Sequence, residues 1–276
     1  MKKKRLALAA ALLALLLAPF AWVRVFNSPS NERDWSPDQA VLARAAIEGD
    51  RVTVQNVRNF AYRTETDYTP RYETRSYDLS KLDSLWFVVE RFGPAPAIAH
   101  TFLSFGFGDE YLAISVEIRR ERGETFSPIA GLLRQYEIMY VVADERDVIG
   151  LRTNLRRDPV YLYPARATRE QIREVFVGML ERANRLAAAP EFYDTLSNNC
   201  TSNIVSHVNA IAPRAIPFTY KTIMPAYSDE LAYELGLIPN DLPFYTVRAT
   251  HRIDERARAE PLGPNFSARV RKRKTG

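Results

Sequence analysis

The chain has 276 residues, 46% hydrophobic and 26% charged, which is material for one sizeable packed domain and excludes a disordered polymer. Its net charge of +5 sits at the ends. Lys2, Lys3, Lys4 and Arg5 open the chain, and residues 248–276 hold nine basic against three acidic residues, so the body between carries about −5. A mildly acidic body argues against nucleic acid as a partner.

After the basic cluster comes an uninterrupted apolar run, Leu6–Val23, of eighteen residues. As helix it measures about 27 Å, enough to cross a bilayer. It ends Ala18-Pro19-Phe20-Ala21-Trp22-Val23-Arg24 without a small-x-small cleavage site, so an uncleaved transmembrane anchor is expected over residues 1–26 rather than a cleaved signal. The basic residues keep the short end cytoplasmic and put the body outside, on the inner (cytoplasmic) membrane. No cysteine follows the run, so there is no lipobox. Residues 27–36 read as a polar linker.

The domain proper is expected over residues 37–247. Ser36-Pro37-Asp38-Gln39 reads as the start of a short helix stopped at Gly49. Val52, Val54, Val57 and Phe60-Ala61-Tyr62 mark a first strand region, followed by strands at Ser84–Phe92, Ile98–Phe107, Glu110–Arg119 and Tyr136–Ala143. Thr168–Ala188 is the clearest helix, with a Thr168/Gln171 capping box and apolar residues at helical spacing. A second helix starts near Cys200, short irregular or helical pieces follow Pro213, and residues 248–276 read as a poorly ordered basic tail. Strands early and helices late predict an α+β fold with an antiparallel sheet and packed helices.

Chemistry centres on the one cysteine, Cys200, in Asn198-Asn199-Cys200-Thr201-Ser202. A thiol in the first turn of a helix is placed where amides and the helix dipole stabilise a thiolate. Ile204, Val205, Val208 and Ile211 form an apolar stripe, and Cys200 shares its face. Asn198 or Asn199 can cap the turn and help stabilise an oxyanion. The plainer reading is a buried cysteine acting as a small hydrophobe.

Three histidines could serve as base. His207 is seven helical residues from Cys200, about 10.5 Å away, too far for a hydrogen bond. His251 lies among charges with no apolar face to hold it. His100 sits in a strand, where a side chain is held rigidly. If Gly108-Asp109 is a two-residue turn, paired residue numbers sum to 217 and His100 faces Glu117, which can orient the imidazole. His100 and Cys200 on opposite faces of the sheet would favour the buried-cysteine reading. One Cys and three scattered His give no zinc spacing, there is no Gly-rich phosphate loop or G-x-S-x-G elbow, and no cofactor is expected.

Asn56-Val57-Arg58-Asn59-Phe60, Ala99–Phe107, Ser115–Arg119, Tyr140 through Asp144-Glu145-Arg146, and Asn198-Asn199-Cys200-Thr201 occur in order across roughly residues 50–240. Together they resemble the Lnb-type N-terminal periplasmic domain family. The resemblance implies a membrane enzyme that moves an acyl chain from a lipoprotein glyceryl-cysteine to its N-terminal amine. The order of histidine, acidic residue and Asn-Cys at a helix start is also similar to permuted papain-like acyltransferases and hydrolases. It implies Cys200 as nucleophile and His100 as base, with Glu117 matching by position. The characterised acyltransferases of the family carry several membrane spans, whereas this chain has one candidate span. The expected function is thus a membrane-anchored periplasmic cysteine acyltransferase or hydrolase, its partners the inner membrane and an acylated lipoprotein or lipid. A cell-wall peptide amidase with the same dyad and a non-catalytic envelope-binding module are the alternatives.

Overall fold

The structure is a computed structural model; it describes residues 2–93, 95, 97–259 and 261–272, with backbone alone at residues 8–10, 12, 16, 17, 19, 20 and 25. In chain order, helix α1 (Lys2–Phe26) precedes strands β1 (Arg44–Glu48) and β2 (Arg51–Arg58), the small pair β3 (Ala61–Tyr62) and β4 (Tyr68–Thr69), and β5 (Tyr72–Asp78). Then come β6 (Ser84–Arg91), β7 (Ala99–Phe107), β8 (Glu110–Arg119), α2 (Pro128–Leu132), β9 (Glu137–Asp144) and α3 (Glu145–Gly150). A π-helical segment, Leu151–Leu155, leads to β10 (Val160–Pro164), α4 (Arg169–Ala188) and α5 (Cys200–Ile211). The short helices α6 (Tyr220–Ile223), α7 (Ser228–Glu234), α8 (Phe244–Thr250), α9 (Asp254–Arg258) and α10 (Phe266–Arg271) close the chain.

The main sheet runs β1-β2-β9-β8-β7-β6-β10, with β5 also paired to β2. It is antiparallel, as expected, except for one parallel contact between β2 and β9 at Arg58 and Ala143. Its central strands are apolar on both faces because both are covered. Ala99, Leu103, Phe105 and Phe107 of β7 join the core built with α4 and α5, while Phe102 joins a second core with Val148 and Ile149 of α3, Ala257 of α9, and Phe266 and Val270 of α10. β2 bulges at Asn56, whose φ of 62° suits a short polar side chain. Two residues on, Arg58 meets Asp147 in a buried ion pair at 2.8 Å, joining β2 to α3.

Three expectations are corrected. The helix expected up to Glu48 is a turn followed by β1, which pairs with β2 across Gly49-Asp50, with Ala45 bonded through both backbone groups to the Asn184 side chain. Cross-strand pairing and that clamp outweigh local helix propensity. The linker 27–36 is docked rather than free: Trp35 is buried with the Arg119 guanidinium 4.1 Å from its ring, and Asn31 donates to the Leu186 carbonyl. The segment from residue 248 is folded as far as it is described; residues 260 and 273–276 lie outside the described residues. Leu162 N–H donates to His251 O and Ile253 N–H to Val160 O, so the chain covers the edge strand β10. Arg271 then pairs with the buried Glu145, which also accepts from Ser104. Ending the chain at Arg252 should therefore cost about 5 kcal/mol or more, because it opens the second core and strands the Glu145 carboxylate. Thermal unfolding followed by circular dichroism checks this; an unchanged midpoint would make the segment dispensable.

The run expected to span a membrane is continuous helix within α1. Among the described residues no helix is long and apolar enough to cross a membrane, and nine side chains of α1 lie outside that description.

Candidate active site

Asn199 is the N-cap of α5. Its Oδ1 accepts from Ser202 N–H at 2.8 Å, and Ser202 Oγ accepts from Asn199 N–H at 2.8 Å. This reciprocal capping sets Cys200 as the first helical residue. The Asn198 and Asn199 side-chain amides hold the loop in place, donating to the Phe192 and Thr195 carbonyls. Asn198 Oδ1 also accepts from Asn203. The expected capping role is present in Asn199, whereas both side-chain amides are engaged in the loop instead of facing an oxyanion.

The Gly108-Asp109 turn gives the expected register, from Phe107 opposite Glu110 to Phe102 opposite Ser115. Beyond that pair the two strands part. β7 runs back to Ala99 paired with β6, and β8 runs on to Arg119 paired with β9. Strand alternation puts His100 on the Phe102 face, while Cys200 belongs to the core on the Leu103 face. In an unbroken sheet the two would be separated. The fork lets them share one cavity of about 160 Å³, lined from both faces by Ala99, His100, Val116, Glu117, Tyr193 and Cys200.

Cys200 is buried, and its Sγ lies 4.0 Å from Thr201 Oγ1. Burial pushes the thiol up, but hydrogen bonding and charge from His100, with bonds from the Thr101 side chain and backbone, bring it down to about 7. His100 and Cys200 line the same cavity, and apo sites of this kind often tighten only with substrate. His100 Nε2 lies 2.7 Å from Ser115 Oγ, and Ser115 Oγ donates to Glu117 Oε1 at 2.8 Å. An ionised carboxylate only accepts, so Ser115 gives it the hydroxyl proton and accepts in turn from His100 Nε2–H. That leaves Nδ1 as the proton-accepting nitrogen of the neutral ring. Glu117 Oε1 is 3.7 Å from His100 Nε2, and Ser115, which the sequence reading missed, is hydrogen-bonded to both.

Two carboxylates flank His100 on its face, Glu117 on β8 and Glu90 directly opposite on β6. Arg152, on the π-helical segment, bridges both, with Nε 2.5 Å from Glu90 and Nη2 3.0 Å from Glu117. Burial alone would raise Glu117, yet Arg152, His100 and Arg58 hold it well below the usual carboxylate range. Glu90 is lowered against burial by Arg152, Arg156 and His100. Asp158 goes the other way, up to about 7, through burial and the neighbouring Glu90 charge.

The other histidines are elsewhere. His207 Nε2–H donates to the Tyr140 hydroxyl oxygen at 2.9 Å, the Tyr140 proton going to Asn203 Oδ1, and burial with the Arg182 and Arg185 charges lowers the ring to about 4. His251 corrects the expectation of a loosely held side chain: it is buried, packs on the Tyr163 ring, and its Nδ1–H donates to Val247 O at 2.7 Å. A larger and more apolar cavity, about 380 Å³, lies between α4, α5 and α7, with Thr201, the neighbour of Cys200, in its wall. Among the described residues no cluster of His, Cys, Asp and Glu could hold a metal ion.

Fold and cleft together describe an α+β protein with a buried thiol and an imidazole lining one cavity at a break in its sheet. The family model for the Lnb N-terminal periplasmic domain matches residues 68–226, more than half of the chain, and the chain belongs to that family. It is thus a periplasmic, envelope-associated domain. The match takes in His100, Ser115, Glu117, Arg152 and Cys200 and begins after Asn56–Phe60. No curated protein and no solved structure matches the chain.

Proposed function

We propose that this protein is a thiol-dependent acyltransferase or hydrolase, held at the inner membrane by α1, that acts on acylated lipoprotein-like or lipid substrates. The observation that carries the reading is that Cys200 and His100 line one cavity at the fork between β7 and β8, with the thiol lowered to about 7. His100 Nδ1 takes the thiol proton, and Cys200 Sγ attacks the carbonyl carbon of an ester or amide. As the S–C bond forms, the carbonyl π pair moves to oxygen, where backbone N–H groups at the start of α5 stabilise it. Collapse expels the alcohol or amine, which takes its proton from His100, and leaves a thioester on Cys200. An amine or water, deprotonated by His100, then attacks the thioester and releases the thiol. Ser115 and Glu117 hold the ring in the Nε2–H tautomer throughout. The succession of histidine, acidic residue and helix-start cysteine along the chain supports a permuted papain-like arrangement.

The test is mass spectrometry of the purified chain after incubation with diacyl phospholipid and with a diacylated lipopeptide. An acyl mass on Cys200 that hydroxylamine removes is expected. Cys200 remaining unmodified with every acyl donor, in protein whose thiol still alkylates, would leave a binding module.

A further inference from the structure

We propose that the end of the domain bearing the Cys200 cleft docks on a phospholipid bilayer surface through an apolar rim of Phe126, Ile129 and Leu196. The inference rests on the reading of α1 as the membrane anchor. The last turns of α1 are fixed to the domain rather than joined by a slack tether. Arg24 Nη1 donates to Leu132 O at 2.8 Å and Nη2 to Asp194 at 2.7 Å, and Asn27 donates to Arg134 O at 3.2 Å. The segments these bonds reach are α2 and the loop after Asp194.

The same two segments present bare apolar side chains. Ile129 on α2 is 70% exposed and Leu196 49%. Trp22 and Phe26, on the part of α1 that enters the domain, are 65% and 64% exposed, with ring centroids 4.1 Å apart. Scattered exposed apolar residues are ordinary. These lie within reach of a helix end whose preceding eighteen residues are apolar, with an aromatic at the level of the bilayer interface. Phe126 joins the rim to the chemistry: it lines the Cys200 cavity, and its ring meets Phe92 at 5.9 Å. Tyr193, next to Asp194, lines the same cavity. The mouth of the cleft therefore opens beside the rim, and an acyl chain leaving the bilayer meets apolar surface on its way to Cys200. The tether selects lipid over a protein partner, because it holds the rim at the membrane surface whatever else is present.

The full chain, as Cys200→Ser with one new cysteine at Ile129 or Leu196, would carry an environment-sensitive fluorophore in vesicles of phosphatidylethanolamine and phosphatidylglycerol. Asp109→Cys is the control, because the hairpin tip is at the far end of β7, about 30 Å from His100. Shallow spin-labelled lipid should quench the probes at 129 and 196 several-fold more than the probe at 109. Chain that floats with the vesicles while its rim probes are quenched no more than the control would overturn the docking surface and leave the anchor standing. Rim probes shielded from both lipid and aqueous quenchers would assign the rim to a protein and overturn it too. Chain that does not float with vesicles would overturn the anchor reading and the rim with it.

Discussion

Replacing His100 by Ala is expected to move the Cys200 thiol from about 7 to above the free-thiol value of about 8.5. The direction follows from the balance at the sulfur. Burial is the largest influence and raises the thiol, and His100 is the main opposing group; Thr101 and the helix start remain in the variant. Removing the imidazole therefore leaves burial dominant. The measurement is the pH profile of alkylation, whose midpoint should rise by more than one pH unit. Turnover on an acyl donor should fall by about 10³-fold or more in His100→Ala and in Cys200→Ser, since members of such a unit fail together. Ser115→Ala and Glu117→Gln should lower turnover less, leaving alkylation measurable, because they loosen the ring without removing it. His207→Ala and His251→Ala should leave the midpoint in place, as both rings are engaged elsewhere. A midpoint unmoved by His100→Ala would mean that the two groups do not communicate, and the buried-cysteine reading would stand.

Much of this site was legible in the sequence because its parts obey local rules. The Gly108-Asp109 turn sets the register of β7 and β8 at once, since pairing in a hairpin propagates from its loop. Asn199 two residues ahead of Thr201 is a cap, and a cap fixes where a helix begins. What alternation could not reveal is the fork. A period-2 pattern says which face a residue occupies while strands stay paired, and it holds no information on where two paired strands separate. That is why parity alone would have set His100 and Cys200 apart. Ser115 was missed because a serine on a strand carries no signal until a ring nitrogen is found against it. Arg152 was missed for a similar reason: its two partners, Glu90 and Glu117, are far away in sequence and meet it only in the folded sheet. The C-terminal segment misled through composition, since its arginines read as solvated charge although Arg271 pairs with a buried carboxylate.

Replacing Arg152 by Met should be the most damaging single change to stability near the site. Glu90 is 1% exposed, and Glu117 is confined in the cleft, so removal of the shared cation leaves two carboxylates desolvated side by side. Breaking a buried pair from one end costs about 3–5 kcal/mol. The pH dependence separates this electrostatic cost from lost packing of Arg152 on Phe102, where the guanidinium lies 5.1 Å from the ring centre. In the native chain both carboxyls are held below their unfolded value of about 4.3, so they contribute stability above that pH and lose it as pH falls. Without Arg152, burial dominates and raises at least one carboxyl above 4.3, which reverses the sign: ionisation then opposes folding. The stability gap between native and variant chains should be widest at neutral pH and should narrow at about pH 5 and below, as the variant takes up a proton that the native chain does not. Denaturant unfolding of detergent-solubilised protein at the two pH values reads this directly. Arg152→Lys should recover only part of the loss, because one ammonium cannot reach both carboxylates as a planar guanidinium does. A gap equal at both pH values would reduce Arg152 to a packing residue on Phe102.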